Sequence, residues 1–182
     1  MEQQGNFLTG NCSMGHVKPI MADLPYPPIR VREKNPGYVG ILSHDYCGQV
    51  SEMSAVTQYI NSESRLILEN CEASGVLLGI AMAEMMHLQK LGEMIALLGG
   101  TVSFSVRQNN GKMRMWTPEY LNLQDTEEKM IAAGIESERV AIRQYQMHLK
   151  MIRDPYVCAV ISRIILDEEY HIMLLKTLAG RT

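Results

Sequence analysis

Apolar side chains recur at helical intervals along most of the chain, and the rhythm fails in two places. From about Ser43 to Cys71, Val50, Met53, Val56, Thr57 and Ile60 fall at i, i+3 and i+4 spacing and predict a first helix. A second is predicted from about Ser74 to Leu98, closed by Gly99-Gly100, where glycine suits a left-handed cap. Between Thr101 and Gln124 the period changes. Val102, Phe104 and Val106 alternate, Asn110-Gly111 follows, then Met113, Met115 and Trp116, a pattern that predicts a small β-hairpin. A third helix is expected from Asp125 or Thr126 to about Arg153, with Glu127 and Glu128 in the first turn, where the helix dipole favours anions. Asp154-Pro155 then supplies an N-cap and a first-turn proline for a fourth, running to about Leu178 and ending at Gly180. Residues 1 to about 40 carry Pro19, Pro25, Pro27, Pro28 and Pro36 with little periodicity. Proline fixes φ and removes a backbone donor, so this stretch is expected to be an extended arm wrapping its own bundle or a neighbouring subunit. The organisation expected is therefore an arm over 1–40 and an all-α domain over 41–182, a four-helix bundle with short links after helices one and three and a long central crossover.

The chain repeats itself. Ser51-Glu52-Met53-Ser54-Ala55-Val56-Thr57-Gln58-Tyr59 aligns with Ser137-Glu138-Arg139-Val140-Ala141-Ile142-Arg143-Gln144-Tyr145, sharing Ser, Glu, Ala, Gln and Tyr. Glu84-Met85-Met86-His87 aligns with Glu168-Glu169-Tyr170-His171. The offsets are 86 and 84 residues, so each half is a helix with Glu-x-x-Ala-x-x-Gln-Tyr followed by one with Glu-x-x-His. One Glu-x-x-His is common by chance, but two at matching places in a duplicated hairpin form a pattern.

Residues i and i+3 share a helix face, so Glu84 with His87, and Glu168 with His171, can each serve one site, and Glu52 and Glu138 can join them from facing helices. Glu52 and Glu84 sit among apolar neighbours that should face inward, where an unpaired carboxylate costs several kcal/mol or more. Two divalent cations would relieve the repulsion among four carboxylates. Hard carboxylate oxygens can bridge two metals and imidazole adds one ligand to each, which suits iron and manganese alike. Asp167 could accept a hydrogen bond from a ligand imidazole and orient it. Tyr59 and Tyr145, two turns after Glu52 and Glu138, could donate to the site or act as redox partners.

Composition narrows the surroundings. A net charge of −3 gives no basic face for nucleic acid. No run of about 18 apolar residues suggests a membrane span. Met1 to Gly15 lacks the apolar region of a signal peptide, so the expectation is a cytoplasmic protein with Cys12, Cys47, Cys71 and Cys158 as free thiols. No C-x-x-C pair is present for a zinc ribbon or rubredoxin-type site. Fourteen methionines against two phenylalanines read as flexible core filling.

Three stretches, Glu52 through Gln58 and Tyr59, Glu84 through His87 to Ile95, and Ile165-Leu166-Asp167-Glu168-Glu169-Tyr170-His171-Ile172, resemble the bacterioferritin branch of the ferritin-like superfamily, with rubrerythrins as close relatives. The likeness covers all four helices. It implies a ferritin-like bundle with a dinuclear site that oxidises ferrous iron or reduces oxygen or peroxide, served by a separate electron donor. It implies terminal ligation by Glu52 and Glu138 and bridging by Glu84 and Glu168. Met85 falls where bacterioferritins place a haem-ligating methionine between subunits. The chain stops at Thr182, without the short fifth helix of the bacterioferritin cage, so a storage cage is not carried over. The additional helix-three glutamate of rubrerythrins would fall at Ala141, and their frequent rubredoxin domain is not seen. The expectation is an oxidoreductase with two iron ions, in a homodimer or larger homo-oligomer. Peroxide disproportionation with two manganese ions, and non-enzymatic iron binding or storage, are the alternatives.

Overall fold

A computed structural model of the chain describes residue 12, residues 16–108 and residues 110–180. In chain order these residues form α1 (Pro36–Cys47), α2 (Glu52–Leu66), α3 (Cys71–Leu97), β1 (Ser105–Arg107), β2 (Met113–Met115), a 3-10 turn (Pro118–Tyr120), α4 (Glu127–Met151) and α5 (Pro155–Ala179). Helices α2 to α5 are the bundle, with α2 packed on α3, α4 on α5, and the two hairpins facing each other. The β-hairpin lies in the long α3–α4 crossover. Its strands pair antiparallel with Val106 opposite Arg114, and Gly111 turns it at φ +80°.

Several boundaries follow from local chemistry. Ser51, Asn70, Thr126 and Asp154 each cap a helix by accepting a backbone N–H, and Gly99 takes φ +88° after α3. The single first helix expected over 43–71 is instead two. Helix α1 stops at Cys47, Gly48 caps it, and Ser51 starts α2. The arm likewise ends at residue 35, not 40, because Asn35 caps α1 and Pro36 stands in its first turn, where a missing N–H costs nothing. The apolar stripe of α2 also faces the other way. Met53, Val56 and Thr57 are only half-buried and Ile60 is exposed, while Glu52, Gln58, Tyr59 and Leu66 are buried. The face of α2 toward the core is largely polar because of what that core contains.

Two apolar clusters fill the bundle. One joins Leu91, Met94 and Ile95 of α3 to Val160, Ile161 and Ile164 of α5; the other joins Leu77, Ile80 and Ala81 of α3 to Leu175 and Leu178 of α5. Glu84, His87, Glu168 and His171 occupy the turns between, so a polar layer is sealed above and below by hydrocarbon. Helix α3 is long and apolar enough to cross a membrane, yet half of its apolar window is buried within this bundle and it carries Glu84 and His87.

The arm lies on its own bundle, along α3 and α5. Ile20 N–H donates to the Gly79 carbonyl (2.9 Å), Arg32 N–H to Asp154 Oδ2 (2.6 Å) and Asn35 N–H to the Leu98 carbonyl (3.0 Å). A Cβ at Gly79 would lie 2.6 Å from the Ile20 side chain, so glycine is what admits the arm there. The expectation of four free thiols is corrected. Cys12 and Cys71, at the start of α3, form a disulfide, in step with the Ile20–Gly79 and Asn35–Leu98 contacts further along that helix, and Cys47 and Cys158 are free.

Candidate metal centre

All six expected ligands converge in the polar layer, none more than 3% exposed. Helix α2 supplies Glu52, α3 Glu84 and His87, α4 Glu138, and α5 Glu168 and His171. Their ligand atoms fall into two sets, Glu52, Glu84, His87 and Glu168, and Glu84, Glu138, Glu168 and His171, the atoms of each set lying within 4.8 Å of one another. Glu84 and Glu168 belong to both sets, as bridging carboxylates would. His87 Nδ1 lies 2.9 Å from Glu84 Oε2, 3.4 Å from Glu168 Oε1 and 3.5 Å from Glu52 Oε2. His171 Nδ1 lies 3.0 Å from Glu168 Oε2 and 3.1 Å from Glu84 Oε1.

Both imidazoles thus point Nδ1 into the cluster and Nε2 outward. His87 Nε2 is 3.1 Å from Asp167 Oδ2, and His171 Nε2 is 2.8 Å from the Ile20 carbonyl. A carbonyl can only accept, so His171 donates through Nε2 and leaves Nδ1 as the nitrogen that faces the cluster; Asp167 enforces the same on His87. Asp167 is the orienting residue expected from sequence, and it serves the histidine of the opposite hairpin. In the repeat its counterpart is Ala83, which cannot orient His171; the arm's Ile20 carbonyl takes that place.

The tyrosines also cross between hairpins. Tyr59 of α2 donates to Glu138 of α4, and Tyr145 of α4 donates to Glu52 of α2. Each holds the carboxylate of the other half. Met85 lies away from this cluster, 45% exposed on α3.

The electrostatics show how poorly six such groups coexist alone. Burial, with the adjacent Glu84 charge, pushes the Glu52 and Glu138 carboxyls well above the ordinary range. Burial acts on Glu84 as well, but His87 and His171 outweigh it and hold that carboxyl low. Burial disfavours charge on both imidazoles, yet the carboxylates raise them well above their ordinary value. Glu84 Oε1, Glu168 Oε2 and His171 Nδ1 are buried without a hydrogen-bond partner. Orphaned acceptors aimed at one point are what a cation would satisfy, so the donor set fits a pair of divalent metals.

Around the centre, Asp167 takes hydrogen bonds from Ala22 N–H (2.7 Å), Tyr26 OH (2.6 Å) and Arg163 (2.6 Å), which with His87 lower its carboxyl to about 2 against the opposing effect of burial. Arg163 also donates to the Ala22 and Leu24 carbonyls, clamping the arm. Sequence reasoning missed Tyr26, Arg163, Ile20 and the buried Asp45. Arg163 and Asp167, four apart on the buried face of α5, left a signal; a backbone carbonyl leaves none. On the opposite side, between α2 and α4, a cavity of about 290 Å³ lined by Ser51, Ala55, Gln58, Ser137, Glu138 and Ala141 opens toward the centre. A pocket of about 20 Å³, room for roughly one water, adjoins it and is lined by Glu52, Glu84, Glu138 and Glu168.

The rubrerythrin family model matches residues 49–179. The chain belongs to the rubrerythrin family. Solved structures agree on the fold. A manganese catalase from Anabaena, KatB, superposes with TM-score 0.76 at 21% identity over 87% of this chain and 78% of its own. Bacterioferritin from Rhodobacter capsulatus gives 0.66 at 18% identity over 81% and 86%, and that from Desulfovibrio desulfuricans 0.64 at 21% over 79% and 78%. No curated protein sequence matches significantly. Within this rubrerythrin-family bundle, Ala141 lines both the larger cavity and the small pocket.

Proposed function

We propose that this rubrerythrin-family protein is a dinuclear metal oxidoreductase that oxidises ferrous iron and reduces oxygen or peroxide. Glu52, Glu84, His87 and Glu168 would hold one ion, and Glu84, Glu138, Glu168 and His171 the other. The supporting observation is the pair of four-residue sets sharing Glu84 and Glu168 inside a buried core. When bound, two such ions supply two electrons to one oxidant. The chain's own part is to fix both imidazoles with Nδ1 inward, to restrain Glu52 and Glu138 through Tyr145 and Tyr59, and to leave one path for small molecules between α2 and α4. A second reading, disproportionation of peroxide by two manganese ions, draws on the likeness to manganese catalase. Metal analysis of protein purified without added metal, followed by assays for oxygen release from peroxide and for peroxide-driven oxidation of ferrous iron, separates the two. Fewer than two transition-metal ions per chain after reconstitution would refute both.

A homo-oligomer is part of the same proposal. An interface between copies would use exposed apolar side chains such as Ile60, Met85, Met147 and Met173. Light scattering tests this.

A further inference from the structure

Among the described residues, Asp45 is the one wholly buried carboxylate beside the centre that neither belongs to the proposed metal sets nor contacts a histidine of those sets. It sits on α1, outside the four-helix bundle, is 0% exposed, and lines the small pocket together with Glu52, Glu84, Glu138 and Glu168. Gln144 fixes it, donating through Nε2 to Asp45 Oδ1 (2.7 Å) and to the Val50 carbonyl (2.9 Å). Asp45 Oδ2 lies 2.9 Å from Nδ1 of His148, on α4, whose side chain is 8% exposed. Gln58, the counterpart of Gln144 in the repeat, instead bonds Ser137 and Asn122 at the larger cavity. Gln58 therefore holds no counterpart of Asp45 in the other half of the duplicated site.

We propose that Asp45 and His148 form a proton relay that serves oxidant reduction at the centre. The proposal rests on the dinuclear reading above. Reduction of hydrogen peroxide takes two electrons, one from each reduced metal ion, and two protons, and gives two waters as the O–O bond breaks. The proton shared by Asp45 and His148 passes to the departing oxygen, through the single water that the small pocket can hold, and His148 recovers it from solvent. The second proton follows the same route. The charged or titratable groups facing Asp45 are His148 and Tyr145 of α4, His44 of its own helix, and Glu52, Glu84, Glu138 and Glu168 around the pocket. Burial raises the Asp45 carboxyl above its ordinary value, toward what a proton donor near neutral pH requires.

The test compares Asp45→Ala, Asp45→Asn and His148→Gln with wild type for metal content, melting temperature and peroxide reduction across pH. Two metals per chain and a turnover lowered roughly 100-fold in Asp45→Ala are expected. Added formate or acetate should restore part of that rate to Asp45→Ala and none to Asp45→Asn, whose side chain fills the space. In metal-free protein, infrared difference spectra should show a protonated-carboxyl band that Asp45→Asn removes. The relay is overturned if Asp45→Ala turns over within twofold of wild type, if formate and acetate rescue nothing, or if the infrared band is unchanged. Loss of metal already in wild-type protein would instead refute the dinuclear reading.

Discussion

Replacing Asp167 by Ala tests the coupling of arm and centre. The carboxylate is fully buried and joins Ala22 and Tyr26 of the arm, Arg163 of its own helix, and His87. Removing it leaves the Arg163 guanidinium, 5% exposed, with the Ala22 and Leu24 carbonyls and the face of the Tyr26 ring. Breaking a buried pair by deleting one partner costs about 3–5 kcal/mol, and the remaining carbonyls place this case near the lower end, roughly 3 kcal/mol. For a chain of this size each kcal/mol moves the melting temperature by about 2–4 °C, so a fall of about 6–12 °C is expected. The control is Asp125→Ala, which breaks the exposed Lys129–Asp125 pair, whose side chains are 58% and 69% exposed, and should leave the melting temperature almost unchanged because solvent screens the pair. His87 also loses its orienting partner, so affinity at its metal position should drop about 10–100-fold. Calorimetry of metal-free protein and manganese titration read the two effects. If Asp167→Ala is no less stable than Asp125→Ala and binds metal normally, the carboxylate is not the anchor described here.

Three further outcomes are expected. Glu168→Ala should lose at least one metal ion and activity, while Glu169→Ala, altering an exposed neighbour about 100° round the helix, should change stability by under about 0.5 kcal/mol and keep both ions, as metal analysis would show. Gly79→Val should force the Ile20 segment off α3, exposing residues near 20 to limited proteolysis and weakening metal binding through His171. The metal-free protein should become less stable as pH rises from about 5 to 9. His87 and His171 have raised values, so their contribution is full below the unfolded value near 6.5 and is lost as pH climbs through the folded values. Glu52 and Glu138, also raised, hold protons that the unfolded chain has released and act in the same direction. The lowered Glu84 and Asp167 act oppositely, but only below about pH 4. Bound manganese should remove most of this slope in melting curves.

The convergence of the six side chains was legible because duplication doubles a weak motif, and because helical geometry fixes which side chains share a face. Caps and glycines gave most helix ends for the same reason: their chemistry is local. The failures share a different cause. The apolar stripe of α2 pointed away from the core, since a helix serving a buried polar centre turns Glu52 and Gln58 inward and leaves Met53 and Val56 half-buried. Pro36 read as extended chain because proline at a first turn and in an arm look alike without Asn35 in view as a cap. The Cys12–Cys71 bond, the Ile20 carbonyl and the Asp45–His148 pair join residues 59, 151 and 103 positions apart, and nothing local announces them.

The arm also decides how alike the two halves of the centre are. Duplicated hairpins alone would give two interchangeable positions. Here His87 leans on a full negative charge, itself shared with Arg163, while His171 leans on a neutral peptide oxygen. An imidazole backed by a carboxylate is the stronger electron donor. The centre is therefore a polarised pair, with a richer seat on the α3 side and a poorer one on the α5 side. Its singly loaded state should be one species rather than a mixture of two.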